Sequence, residues 1–259
     1  MRIAVLQMKP APGDVAGNLA RIDAAAKEAK GRGADVIVAP ELAVPGYGAG
    51  DALRDLAEPT DGAQVRSLRD SARRHAIAVV AGFAERNGSQ IYNSAAAIDA
   101  GGQAAFYRKQ YLYGAYEKAI FVAGDGPGTI IDIAGMRAGV LICYDVEFPE
   151  CVRALARLGA EAVLVPTALP EGEDSAFIAE RVVPVRAFEN QIALAYANYA
   201  GSDQRFDYAG RSCIAMPDGS DAARAPVSEP ALIFADYISA DYTGSRAENA
   251  YLEELAGRG

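Results

Sequence analysis

Histidine is nearly missing from this chain: one imidazole, His75, in 259 residues. That scarcity removes histidine-rich zinc sites. A Ser-His-Asp or Cys-His relay would have to use His75 itself. His75 stands in "RRHAIAVVAG", where a helical pattern hands over to a strand, and a cationic residue suits a helix C-terminus. Cysteine is also scarce, with three residues and no CxxC pair, which points to a reducing compartment rather than a disulfide framework. Positive charge is in deficit, 25 Lys and Arg against 34 Asp and Glu for a formal −9. A broad nucleic-acid surface needs clustered cations and is excluded as a class, the doublet Arg73-Arg74 reading as a solvated helix face. No apolar run reaches membrane-spanning length, and the opening "MRIAVLQM" is too short for a signal-peptide core. The expectation is a soluble cytoplasmic protein with neither membrane nor nucleic acid as partner. If it is a hydrolase, its base is a carboxylate.

What the chain has is apolar residues, 51% of the total, with 23% charged. That is enough for one large domain or two small ones. "RIAVLQM" (2–8) and "DVIVAP" (35–40) read as buried strands. "NLARIDAAAKEAKGRG" and "GAQVRSLRDSARRH" read as helices, the first with Leu19, Ile22, Ala26 and Ala29 on one face. "AIAVVAGF", "IYNSAAAID" and "AAFYRK" follow as strands, with Gly101-Gly102 as a hairpin signal.

The pattern then starts again. "MRIAVLQM" is echoed by "MRAGVLIC" (136–143), "GADVIVAPE" (33–41) by "GAEAVLVPT" (159–167), and "NSAAAIDAGG" (93–102) by "RSCIAMPDGS" (211–220). Any two α/β stretches share some likeness, but recurrence in the same order points to a duplicated β-α-β-α-β-β unit. Two sheets with helices on one face of each, packed sheet to sheet, give an α/β four-layer α-β-β-α sandwich. No linker divides residues 1–237. Residues 238–259 fall outside the repeat and read as a C-terminal arm that packs on a partner subunit.

A duplicated fold shows its chemistry where equivalent positions differ. The first strand of one half ends in Met8, that of the other in Cys143. The second ends in Glu41 or in Thr167. "AAFYRK" adds Lys109 just past a strand, and strand ends are where α/β folds gather functional groups. Each residue has a plain reading: a packed thiol, an exposed loop glutamate, a solvated lysine. Each also has a chemical one. Cys143 lies where a strand gives way to a helix, and a thiol near a helix N-terminus has its thiolate favoured. A buried Glu41 has its pKa raised toward that of a general base. Together the three supply nucleophile, base and cation without histidine. Cys151, in a helix, and Cys213, in a strand, read as structural.

These residues resemble the nitrilase superfamily of carbon–nitrogen hydrolases, through "APELAVPGY" around Glu41, "YRKQYLYG" around Lys109 and "LICYDVEFPE" around Cys143. The resemblance covers nearly the whole chain and implies a second glutamate, Glu117 in "GAYEKAIF". It implies that Glu41 takes the proton of Cys143, that the thiolate attacks a small amide, and that Lys109 and the backbone N–H of Tyr144 hold the oxyanion. Glu117 would orient Lys109 and the attacking water. Asp145 and Glu147 are expected to shape the turn. No metal or organic cofactor is implied. Homodimers or larger homo-oligomers are implied, through "EFPECVRALARLGA" and "RAENAYLEELAG".

Within the superfamily "CYDVEFPE", "VPTAL", "VRAFENQ" and "YANYAG" are most similar to aliphatic amidases, including those acting on 5-aminopentanamide or on carboxamides stereospecifically. The implied reaction is hydrolysis of a small aliphatic carboxamide to acid and ammonia through a thioester. An N-carbamoyl amine or amino-acid hydrolase, a nitrilase, and an idle binding protein on the same fold are the alternatives. Tyr47, Tyr113, Tyr116 and Thr167 are expected to line the substrate pocket. Glu171, Glu173 and Asp174 read either as receivers of a substrate amine or as a helix N-terminal cluster.

Overall fold

The computed structural model of the chain describes residues 1–257. In chain order the first half runs β1 (Arg2–Gln7), α1 (Val15–Gly31), β2 (Val36–Val38), α2 (Ala52–Leu56), α3 (Ala63–His75), β3 (Ala78–Asn87), β4 (Gln90–Ile98), β5 (Ala104–Arg108), α4 (Gly114–Ile120) and β6 (Thr129–Ile133). The second runs β7 (Met136–Val140), α5 (Pro149–Arg157), β8 (Ala162–Pro166), α6 (Ser175–Phe177), α7 (Val183–Asn190) and β9 (Ala193–Ala197). Six further elements precede the last helix: β10 (Ala200–Ser202), β11 (Asp207–Ala209), β12 (Cys213–Ala215), β13 (Asp221–Arg224), β14 (Ala231–Asp236) and α8 (Thr243–Glu248). The last described helix is α9 (Tyr251–Ala256).

The helices begin and stop for local reasons. Asp14 caps α1 by accepting from the Gly17 N–H at 3.0 Å, filling one of the donors a helix start leaves open. Ala76, left-handed at φ +50°, ends α3 one residue after His75. That histidine sits where expected, its Nε2 2.9 Å from Asp23 Oδ1 on α1. Pro184 lies in the continuous helical stretch from α6 to α7; it has no N–H to give the preceding turn, and residues Ile178–Val182 form a π turn there.

Two six-stranded sheets result, ordered β14-β1-β2-β3-β4-β5 and β13-β12-β9-β8-β7-β6. In each, three parallel strands (β1-β2-β3, β7-β8-β9) continue into antiparallel ones. Alternation along the strands builds the layers. Ile3, Val5, Val36 and Val38 pack with Leu164 and Ala195 of the other sheet. Ala4 and Ile37 face Ile22 of α1 and Leu68 of α3. The four-layer α-β-β-α architecture is therefore present, built from two similar halves.

One feature differs from a simple duplication. Each half ends in a further strand that crosses to the other sheet. β6 leaves the first half to pair antiparallel with β7, Thr129 opposite Val140. β14 leaves the second half to pair with β1, Arg2 opposite Asp236. The reason is geometric: β1 and β7 each have an open edge, and the strand that follows the other half's meander covers it. The described part of the arm folds back on its own chain, with Ser245 Oγ donating to Gln191 Oε1 at 2.9 Å and Tyr251 against Phe188 of α7.

Candidate active site

Glu41 and Cys143 each lie three residues beyond a parallel strand, β2 and β7. Both turns are tight. Leu42, just after the glutamate, and Cys143 itself have φ of +49° and +44°, conformations that non-glycine residues adopt at a cost of order 1 kcal/mol. Gly82 on β3 makes the first turn possible, because a Cβ there would lie 2.1 Å from the Leu42 nitrogen. The two halves touch at equivalent positions, the Glu41 N–H donating to the Thr167 carbonyl at 3.2 Å.

Three charged side chains meet in the buried interior. Glu41, Lys109 and Glu117 are at most 1% exposed. Lys109 Nζ donates to Glu41 Oε1 at 2.6 Å and to Glu117 Oε1 at 2.7 Å. Glu117 is fixed further by the Tyr47 hydroxyl at 2.9 Å on Oε1 and the Tyr113 backbone N–H at 2.9 Å on Oε2. Asn93 Nδ2 donates to Glu41 Oε1 at 2.6 Å, while Glu41 Oε2 is buried with no partner.

The electrostatics follow from that burial. Desolvation raises Glu41 to about 7, Lys109 opposing the rise and Glu117 adding to it. Burial alone would push Lys109 down, but Glu41 and Glu117 hold its ammonium well above the ordinary lysine value. The Cys143 thiol is pushed up by burial and then by the Glu41 charge, against smaller help from Lys109 and the Ala168 N–H. The expectation that a helix N-terminus favours the thiolate is thus overturned. Cys143 opens a short 3-10 turn, Cys143–Glu147, and α5 begins only at Pro149. At 6% exposure the sulfur feels desolvation more than any dipole. Burial thus holds the resting thiol in its protonated form.

Asp145 organises this turn. Its carboxylate accepts from the Ile142 N–H at 3.1 Å, the Tyr111 N–H at 2.9 Å and the Tyr107 hydroxyl at 2.9 Å, joining the cysteine turn to the segment after Lys109. Burial raises Asp145 to about 6 despite these donors. Glu147 is raised to about 7, again by burial. Arg186 supports the same turn through the Val146 and Glu147 carbonyls at 3.0 and 2.8 Å.

The other residues singled out from sequence fall into separate places. The Tyr47 hydroxyl is on the buried cluster. Tyr113 is 46% exposed, its ring edge-on to Tyr144 at 5.2 Å. Tyr116 supports Tyr47 from behind, its hydroxyl donating to the Tyr47 carbonyl and accepting from the Gly50 N–H. Thr167 is buried, with Oγ1 donating to the Val165 carbonyl at 3.1 Å. Glu171 is bound to Arg211 at 3.2 Å, while Glu173 and Asp174 lie exposed. Cys151 and Cys213 are buried, free thiols pushed up to about 12 by burial. Sequence reading missed Asn93 and Tyr196. Tyr196 on β9 is fully buried, its hydroxyl pushed up by burial and by the nearby Cys143. Among the described residues no group of three or more His, Cys, Asp or Glu could hold a metal ion.

Residues 2–247 match the sequence profile of the family described as carbon-nitrogen hydrolase. A protein of Pseudomonas protegens called "Hydrolase in pqqF 5'region" is 43% identical over 257 residues, covering 98% of this chain and 88% of that one. An (R)-stereoselective amidase of Pseudomonas sp. is 36% identical, covering 85% and 78%. An amidase from Nesterenkonia sp. superposes with a TM-score of 0.86 at 37% identity, covering 96% of this chain and 95% of that one. A mutant of the Nesterenkonia sp. AN1 amidase, with the same TM-score of 0.86, shows the Michael addition of acrylamide at its active-site cysteine. Sequence and fold place this chain in the carbon–nitrogen hydrolase family.

Proposed function

We propose that the chain hydrolyses a small aliphatic carboxamide to a carboxylic acid and ammonia through a thioester on Cys143. The observation that carries this reading is the lopsided Glu41 carboxylate: Oε1 is tied to Lys109 at 2.6 Å and Oε2 is buried without a partner, acting on a thiol that burial keeps protonated. Glu41 Oε2 takes the thiol proton as the sulfur bonds to the amide carbon. The developing oxyanion is held by the Lys109 ammonium and the Tyr144 backbone N–H. Glu41 returns the proton to nitrogen, the C–N bond breaks and ammonia leaves. Water then gives a proton to Glu41 and its oxygen to the acyl carbon, and the thiol re-forms as the acid departs. Glu117 keeps Lys109 aligned throughout.

Residues 1–237 form the catalytic domain in this reading, and 238–259 the arm. The chain acts as a cytoplasmic homodimer joined through α5 and the arm. Support comes from Leu158, Tyr251 and Leu255, large apolar side chains 38–49% exposed along these segments.

The test is an ammonia-release screen over short carboxamides, N-carbamoyl compounds and nitriles, with mass spectrometry of the intact protein. Carboxamides should give ammonia and a stoichiometric acyl adduct that Cys143→Ala abolishes. Turnover confined to carbamoyl compounds or nitriles would move the activity to those classes. Turnover of none, with no adduct, would make the chain a binder.

A further inference from the structure

Glu41 is hydrogen-bonded on one oxygen only. Oε1 takes two donors, Lys109 Nζ and Asn93 Nδ2, both at 2.6 Å. Asn93 lies fully buried on β4, and its own Oδ1 has no partner. A buried amide whose acceptor goes unsatisfied is unfavourable for folding, and an apolar residue of the same size would avoid that cost. The turned-over amide would set Oδ1 against Oε1, oxygen to oxygen, so only the donating orientation suits an ionised Glu41. The backbone adds a second tie: the Asn93 carbonyl accepts the Lys109 N–H at 2.8 Å. One residue of β4 therefore fixes both the neutral donor to the base and the chain position of the charged one.

We infer that Asn93 is a positioning residue for the base: it holds Oε1 as the charge-bearing oxygen and leaves Oε2 alone free to receive the Cys143 proton. This rests on the reading of Glu41 and Cys143 given above. The groups facing Glu41 are Lys109 from the segment after β5, Glu117 from α4, Cys143 from the turn after β7, and the Tyr47 and Tyr199 hydroxyls. Lys109 and Asn93 favour the carboxylate, whereas burial and Glu117 oppose it. Loss of the Asn93 hydrogen bond therefore raises the pH at which the base becomes ionised.

The test is Asn93→Leu, similar in size and unable to hydrogen-bond, followed by the pH profile of kcat/KM on a short carboxamide. The acid limb should move up by about one pH unit, with kcat at pH 7 down about five-fold and KM within about two-fold of wild type. Asn93→Val, smaller and equally unable to donate, stands in if the leucine variant does not fold, and the limb again moves up. The pH dependence of Cys143 alkylation by iodoacetamide reads the same base without any substrate turnover. An alkylation shift in an enzyme that releases no ammonia would sink the amidase reading and keep this one. A folded variant whose limb stays at the wild-type pH in both assays overturns the inference, whatever its residual activity.

Discussion

The proposed base is Glu41, and its burial decides the pH behaviour expected of it. Its pKa is raised to about 7, so the base is ionised above that pH and protonated below it. Activity should rise through neutrality and fall as pH drops, and an acid limb near pH 4 would show that the carboxylate is not desolvated in solution. Glu41→Gln keeps the shape, and glutamine can still accept from Lys109, but the base is gone. We expect an unchanged circular dichroism spectrum and a kcat/KM lower by about 10²–10⁴, the range that one general acid–base group contributes. Glu41 and Cys143 stood out in the sequence because each departs from an echoed strand end, Thr167 against Glu41 and Met8 against Cys143, and Lys109 because it falls just past a strand. Asn93 and Tyr196 were not, because each sits inside a strand where a polar or aromatic residue reads as one face of a sheet. Their roles depend on register, Asn93 opposite Ala84 and Tyr196 beside Val165, which sequence pattern leaves open. The state of Cys143 was misread for a related reason: the start of α5 is set by Pro149, beyond the turn that holds the thiol.

At the level of elements, the site depends on how closely one loop approaches one strand. The Glu41 turn lies against β3 at Gly82, whose N–H donates to the Pro40 carbonyl and whose carbonyl accepts from Val44, both at 3.1 Å. Gly82→Ala would place a methyl group 2.1 Å from the Leu42 nitrogen, so the turn or the strand must shift. Thermal melting should show a loss of about 1–3 kcal/mol, the usual cost of overpacking a dense interior. The acylation rate should fall further than stability suggests, since a displaced Glu41 no longer meets the thiol. Retained rate and stability together would show that the turn has room to spare. The order of helices and strands could be read from hydrophobic period and turn residues. β10 and β11, three residues each, are too short to stand out by period.

At the scale of the whole molecule, the echo between halves announced the sandwich but not the exchange of β6 and β14. "TIIDI" and "ALIFAD" are edge strands, and an apolar edge strand carries no mark of which sheet it joins. The pairings reveal it, Arg2 opposite Asp236 at one exchange and Thr129 opposite Val140 at the other. The exposed Leu158, Tyr251 and Leu255 belong to the proposed dimer contact. Sedimentation velocity at micromolar concentration should give the mass of two chains, and Leu158→Glu should shift the equilibrium toward one. Wild-type protein sedimenting as one chain would end that proposal. The bridge between His75 and Asp23 has a use of its own. Because the chain carries one histidine, the imidazole region of a proton spectrum holds the signal of one residue alone. That signal comes from the seam between α1 and α3, outside the Glu41–Lys109–Cys143 cluster. On heating, loss of its folded-state shift records the opening of the helix layer while turnover records Glu41, in one sample.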